Sequence, residues 1–372
     1  MTSAGPTLLT ARWLIGHAGG RHQILEHGQI VIEDDRVVFV GHDFPGEVAR
    51  RMDFGEAVIS PGFVDLDALS DLDTTILGFD NGPAAQKGRV WPRTYIERGP
   101  YEMYTGEELA FQKRFAFAQL IRNGITTALP IASLFYREWG ETVAEFEAAA
   151  EAAEDLGLRV YLGPAYRTGG QVVEADGTIG TVFDEPRGLA GLDDAIAFCR
   201  RHEGTVGGLV RTMLAPDRIE TCTADLLRHS AAAAAELDVP IRLHCCQSVT
   251  ELEIVRRLHG CTPPEWLRDL GFLSEHALLP HAAHVSGDDL AIIRDGGAAI
   301  VHCPLVAARH GGAIRSFMSY KAMGQRIGLG TDTWPPDMIL NMQLGLMVCR
   351  IVEADALGCR SEDYFDAATL GG

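Results

Sequence analysis

The chain has 372 residues, 47% of them hydrophobic and 22% charged, with 51 acidic against 32 basic side chains and a formal net charge of −19. That length can bury a large core, as one big domain or a barrel with a smaller companion. The acid excess argues against binding nucleic acid or an anionic membrane, which both rely on basic patches, and favours a soluble protein. No basic and apolar leader opens the sequence, and no apolar run reaches the roughly 18 residues of a membrane span. The eight cysteines lack CxxC spacing, and only Cys245 and Cys246 are adjacent, so reduced, buried thiols and a cytoplasmic location are expected.

The first 60 residues read as a small β-domain. Runs at 29–33 and 36–40 flank the turn Asp34-Asp35, and a third run at 57–59 leads into Pro61-Gly62. The expectation is an antiparallel sheet over residues 1–60. From residue 61 to 372 strands alternate with helices. Apolar runs at 63–67, 125–130, 159–163, 208–214, 240–245, 277–281, 298–303 and 326–330 predict eight strands. Helical spacing appears at 105–122, opened by the capping pair Thr105 and Glu108, at 142–156, closed by Gly157, and at 223–237. Eight such units predict an α/β chain with a (β/α)8 TIM barrel rather than a doubly wound sheet. The connection at 69–104 is long enough to be a lid or binding loop.

In a β/α barrel, reactive groups sit at the C-terminal ends of the strands. Those positions hold Asp65 and Asp67 on strand one and His244 on strand five. Strand six ends in His281 and His284, strand seven in His302 and Cys303, and strand eight in Asp332. Neutral imidazoles and anionic carboxylates converging from several strands are what a divalent metal needs in place of its water shell. A cysteine nucleophile, Cys303 or Cys245 with His281, is the metal-free alternative, although buried structural cysteines are far commoner.

Several segments resemble, in order, the signatures of the amidohydrolase superfamily. Pro61-Gly62-Phe63-Val64-Asp65 is similar to the run before its His-X-His, and Leu243-His244-Cys245-Cys246-Gln247 to its strand-five His-X-X-Glu. Pro280–His284 and Val301-His302-Cys303-Pro304 resemble its strand-six and strand-seven motifs, and Gly330-Thr331-Asp332 its strand-eight Gly-Thr-Asp. Asn123–Thr127, Ala215-Pro216 and Thr221-Cys222-Thr223 point to the cytosine deaminase-like branch, with its triazine hydrolases, guanine deaminases and adenosine-derivative deaminases. The resemblance implies hydrolysis of a carbon–nitrogen bond in a small nitrogenous substrate, by water that a metal activates by lowering its pKa towards about 7. It makes His244 a metal ligand and Asp332 both ligand and proton acceptor. His281 would hydrogen-bond the attacking water or the oxyanion, with His284 its rival. Zinc is the expected ion, with manganese and iron as alternatives. The family's composite β-domain accounts for the first 60 residues.

The chain departs from that pattern at two places. Asp67 and Leu69 stand where the two histidines of His-X-His would be. Strand alternation puts residues 65, 67 and 69 on one face, so Asp67 can ligate and Leu69 cannot. The expected set is Asp67, His244 and Asp332, with His281 beside them, an oxygen-rich site less selective for zinc. Gln247 occupies the place of the proton-carrying Glu. Its amide can hydrogen-bond substrate but cannot relay a proton, a loss of about 10²–10⁴ in rate. These departures raise a second reading, a catalytically silent relative that binds a small nitrogenous ligand or an active partner. Arg89, Trp91, Arg167, Arg211 and His284 are the candidate substrate contacts. Residues 365–372 resemble the segment just before the family's returning β-strands, so the β-sandwich is expected to lack its second half. Two copies pairing as a homodimer fit the same reading.

Overall fold

The computed structural model describes residues 5–70, 91–93, 104–131, 140–314 and 316–372. The chain divides into two compact units, Met1–Gly62 and Phe63–Gly372.

The first unit holds two small sheets. One has the strand order Arg36–Gly41, Gln29–Glu33, Thr7–Thr10, Arg50–Asp53. The other runs Arg21–Glu26, Trp13–Ala18, Val58–Ile59. The hairpin across Asp34-Asp35 forms as the turn signal predicts, with Asp34 in the left-handed region at φ 52°. The expectation of one antiparallel sheet needs correction. Thr7–Thr10 pairs in parallel with Arg50–Asp53, and Trp13–Ala18 with Val58–Ile59, so both sheets are mixed. Those returning strands are separated in sequence from their partners, and local turn chemistry does not reveal such pairings.

The second unit is a TIM barrel. Its first four strands are Phe63–Leu69, Ile125–Ile131, Arg159–Leu162 and Val210–Thr212, hydrogen-bonded in that order and all parallel. Strands three and four resume after a break as Ala165–Tyr166 and Ala215–Pro216, again paired in parallel. Strands five to eight are Ile241–Arg242, Ala277–Pro280, Ala299–His302 and Ile327–Leu329. Parallel bridges from Leu214 to Ile241 and from Arg218 to His244 join the two halves. The ring closes where Asp332 donates its N–H to the carbonyl of Asp67 at 2.8 Å.

The helices follow the expected caps. Gly106–Arg122 begins with the Thr105–Glu108 capping box, and Val143–Leu156 with Thr142–Glu145 and a left-handed Gly157 at its end. Between strands and helices, Phe117, Phe146, Phe198, Leu226 and Leu267 are buried in one continuous core. Each such side chain contributes about 1.5–3 kcal/mol over its exposed state. Inside the barrel Leu66, Leu129, Met213, Val301 and Cys303 form a plug. The charged groups of the mouth sit above this apolar floor and are held away from bulk water. Among the described residues no helix is long and apolar enough to cross a membrane. The 69–104 connection lies largely outside the described residues.

Candidate active site

Strand one carries the first departure from simple alternation. Its pairing with strand two shifts register between Asp65 and Ala68. The irregularity separates the roles of two carboxylates that strict alternation would place together. Asp65 turns to strand eight, accepting the N–H of Thr331 at 2.9 Å and its hydroxyl at 2.6 Å. Burial pushes the Asp65 carboxyl up, and the Thr331 hydrogen bonds oppose that rise. Asp67, also fully buried, faces the barrel axis. Its Oδ1 lies 3.8 Å from His244 Nε2 and 3.7 Å from Arg242 Nε, and its Oδ2 lies 3.8 Å from Cys303 Sγ. Leu69 is buried and offers no ligand atom.

Strands five, six and eight supply the remaining groups. His244 Nδ1 is 2.9 Å from His281 Nε2, and that nitrogen is 3.7 Å from Asp332 Oδ2. His281 is left-handed at φ 77° and Asp332 at φ 40°, as are Cys246 and Ala282 beside them. For residues with a Cβ this conformation costs roughly 1 kcal/mol or more each, and such strain gathers at functional sites. Gly330 shows why strand eight can close here: a Cβ at that position would come within 2.6 Å of Asp67 Cβ. One nitrogen or oxygen from each of Asp67, His244 and His281 lies within 4.8 Å of the others. Two imidazoles and two carboxylates on a rigid strand-end frame are a donor set that fits a divalent ion.

The other sequence candidates fall at varied distances from this cluster. Gln247 is half-buried at the end of strand five, its N–H given to Glu251 Oε2 at 2.8 Å. His284 follows strand six, partly buried, with its N–H on the Cys246 carbonyl; desolvation holds its imidazole below the usual range. Arg211 is a correction. It lies within strand four, short of the mouth, and its exposed guanidinium pairs with Glu203 at 2.8 Å. Its neighbours Val210 and Thr212 take the opposite, buried face, packed toward the helices, and Thr212 gives its hydroxyl to the same Glu203 at 2.6 Å. Trp91 joins a short strand paired with Val172, and Arg89 lies outside the described residues. The cysteine alternative does not suit this environment, because burial and neighbouring carboxylates push the Cys303 thiol well up, away from the reactive thiolate. His302 turns away from the cluster, its Nε2 3.4 Å from the Tyr364 hydroxyl, and burial pushes its pKa down to about 3.

Sequence reading missed Arg242, which is buried to 2% exposure and donates Nη1 to the carbonyls of Leu129 at 3.2 Å and Pro130 at 3.4 Å. Its signal was parity, since residue 242 shares the inward face of a strand with His244. Arg167, whose position after strand three suggests a substrate contact, instead belongs to a buried charge chain at the ends of strands three to five, whose other members sequence reading missed. Arg167 pairs with Asp217 at 3.2 Å, and Arg218 with Glu220 at 3.5 Å. Glu251 then caps the N–H groups of Cys246 and Gln247.

Comparison with known proteins adds to this geometry. The model of the Amidohydrolase family matches residues 74–372. A 5-methylthioadenosine/S-adenosylhomocysteine deaminase of Natronomonas pharaonis is 25% identical over 347 residues, covering 91% of this chain and 73% of the relative. Guanine deaminase from C. acetobutylicum, solved with guanine in its active site, superposes with TM-score 0.80 at 18% identity, covering 98% of this chain and 85% of that one. An adenosine deaminase from Xanthomonas campestris with bound zinc gives TM-score 0.72 at 17% identity, over 98% and 78% of the two chains.

Proposed function

The chain belongs to the amidohydrolase family, and from that membership we propose that Asp67, His244, His281 and Asp332 form the centre of a metal-dependent hydrolase of non-peptide carbon–nitrogen bonds. The observation that carries the assignment is their convergence at the ends of strands one, five, six and eight. A divalent ion held by Asp67, His244 and Asp332, with His281 beside them, would supply a water acidic enough to attack at neutral pH. Zinc is the ion we assign, as in the adenosine deaminase relative.

The chain's own groups have separable tasks. In this reading Asp332 takes a proton from attacking water; its side chain is 10% exposed and lies 3.7 Å from His281, which supports that role. His281, fixed through its N–H on the Val301 carbonyl, hydrogen-bonds the oxygen that becomes the oxyanion. Gln247 orients a ring nitrogen or amino group by hydrogen bonding, while its lack of an acidic proton keeps turnover low. His284 borders the substrate on the strand-six side. The substrate class we assign is an amino-substituted heteroaromatic ring, an adenosine derivative of the 5-methylthioadenosine type foremost, and the reaction is deamination. The silent-binder reading is not favoured, since the chain keeps both the family match and a donor set that fits a metal.

The test is ammonia release from 5-methylthioadenosine, S-adenosylhomocysteine and guanine by protein loaded in turn with zinc, manganese and iron. Slow, metal-dependent release that disappears in Asp332→Ala is expected. No bound metal after loading, together with no release from any substrate, would overturn the assignment.

A further inference from the structure

We propose that Arg242 governs the metal affinity of this site by competing with the divalent ion for the carboxylate of Asp67. The inference rests on the metal-site reading above and names a positioning residue within it. Arg242 comes two residues before His244 on strand five, so its side chain enters the barrel one layer below the imidazole. It is held there by its donation to the Leu129 and Pro130 carbonyls, and its side chain is 3% exposed. The oxygen it faces, Asp67 Oδ1, is the one that also faces His244 Nε2. One carboxylate oxygen is therefore shared between a permanent cation and the side of the site where an ion would sit.

Charge balance gives this arrangement its logic. A carboxylate at position 67 brings a negative charge where an imidazole would bring none. Arg242 stays protonated in any protein environment and cancels that charge. The Asp67–Arg242 pair then presents the electrostatics of a neutral ligand and holds the carboxylate in place when no ion is bound. The buried guanidinium also repels an arriving cation, which lowers affinity and makes the ion readily exchangeable. Residues behind first ligands commonly tune metal affinity by about 10–100-fold.

The experiment compares zinc and manganese affinities of the metal-free full chain with those of Arg242→Gln and Arg242→Lys, by competition with a chromogenic chelator. Gln keeps an N–H for the two carbonyls and removes the charge; Lys keeps the charge. Arg242→Gln is expected to bind at least about tenfold tighter, Arg242→Lys to match the unaltered chain, and adding Asp67→Asn to Arg242→Gln to erase the gain. If the unaltered chain binds metal and Arg242→Gln binds no tighter, competition is overturned while the metal-site reading stands. Binding by Arg242→Gln alone supports competition and removes the metal-site reading for the native chain; binding by neither overturns both. Should Arg242→Gln fail to fold by circular dichroism, a metal-loaded crystal of the unaltered chain decides. Asp67 Oδ1 turned from Arg242 onto the ion supports the proposal, and Oδ1 still on Arg242 with the ion bound overturns it.

Discussion

The tie between Asp65 and Thr331 closes the barrel next to the proposed metal site, so it allows a quantitative test of how the fold positions the chemistry. Thr331→Val deletes only the hydroxyl that meets Asp65 Oδ2 at 2.6 Å. A hydrogen bond to a charged acceptor is worth about 1.5–3 kcal/mol, so Thr331→Val should cost about that much. Asp65→Ala also strands the N–H groups of Thr331 and Asp67, at positions with 0% exposure for all three residues. Each stranded donor costs about 1–3 kcal/mol. Releasing a carboxylate from burial, the cause of its raised pKa, offsets part of that loss. The net expectation for Asp65→Ala is about 3–5 kcal/mol. Because the hydroxyl bond is already gone in Asp65→Ala, the double variant should be less destabilised than the sum of the singles, by about 1.5 kcal/mol or more. Urea denaturation of the four proteins measures this coupling. Additivity within about 0.5 kcal/mol would show that the two groups do not act together and refute the reasoning. Both single variants should also weaken metal binding, since Asp332 hangs on Asp67 one residue beyond the tie.

Two further outcomes follow from the site and its surroundings. Gln247→Glu restores an ionisable group at the end of strand five and should raise kcat for the best substrate by about 10²-fold, measured by steady-state ammonia release; an unchanged kcat would remove residue 247 from the chemistry. His302 is neutral in the folded chain, with its pKa pushed down to about 3 against about 6.5 unfolded. Its stabilising contribution is complete above pH 6.5 and declines as pH falls towards 3, because the unfolded state then binds the extra proton. Relative to His302→Phe, the unaltered chain should therefore lose about 2 kcal/mol between pH 7 and 5, read from urea midpoints at both pH values.

Much of this organisation was legible from residue order because barrel strands are short apolar runs and their helices begin with strong caps. The run at 63–67 and the Thr105–Glu108 box each locate an element within a residue or two of Phe63–Leu69 and Gly106–Arg122. The groups that meet at the mouth were legible for the same reason: each stands at the C-terminal end of a barrel strand, on strands one, five, six and eight. Long-range pairing was not legible, as the parallel return of Arg50–Asp53 onto Thr7–Thr10 shows. Strand one misled in a different way, since the register shift after Asp65 breaks the period of two and sends Asp65 and Asp67 to separate tasks. Arg211 reads as part of a substrate-contacting loop, yet it falls within strand four, before the mouth, where Glu203 pairs with its guanidinium. Arg242 was passed over because a charged residue inside a barrel strand is unexpected until the carboxylate it answers is seen beside it.

Anomalous scattering from crystals soaked in zinc tests the central claim most directly. The expected result is one peak enclosed by Asp67, His244, His281 and Asp332. A peak held instead by the buried group Cys245, Cys246 and Glu251, or no peak in the barrel mouth at saturating zinc, would contradict it.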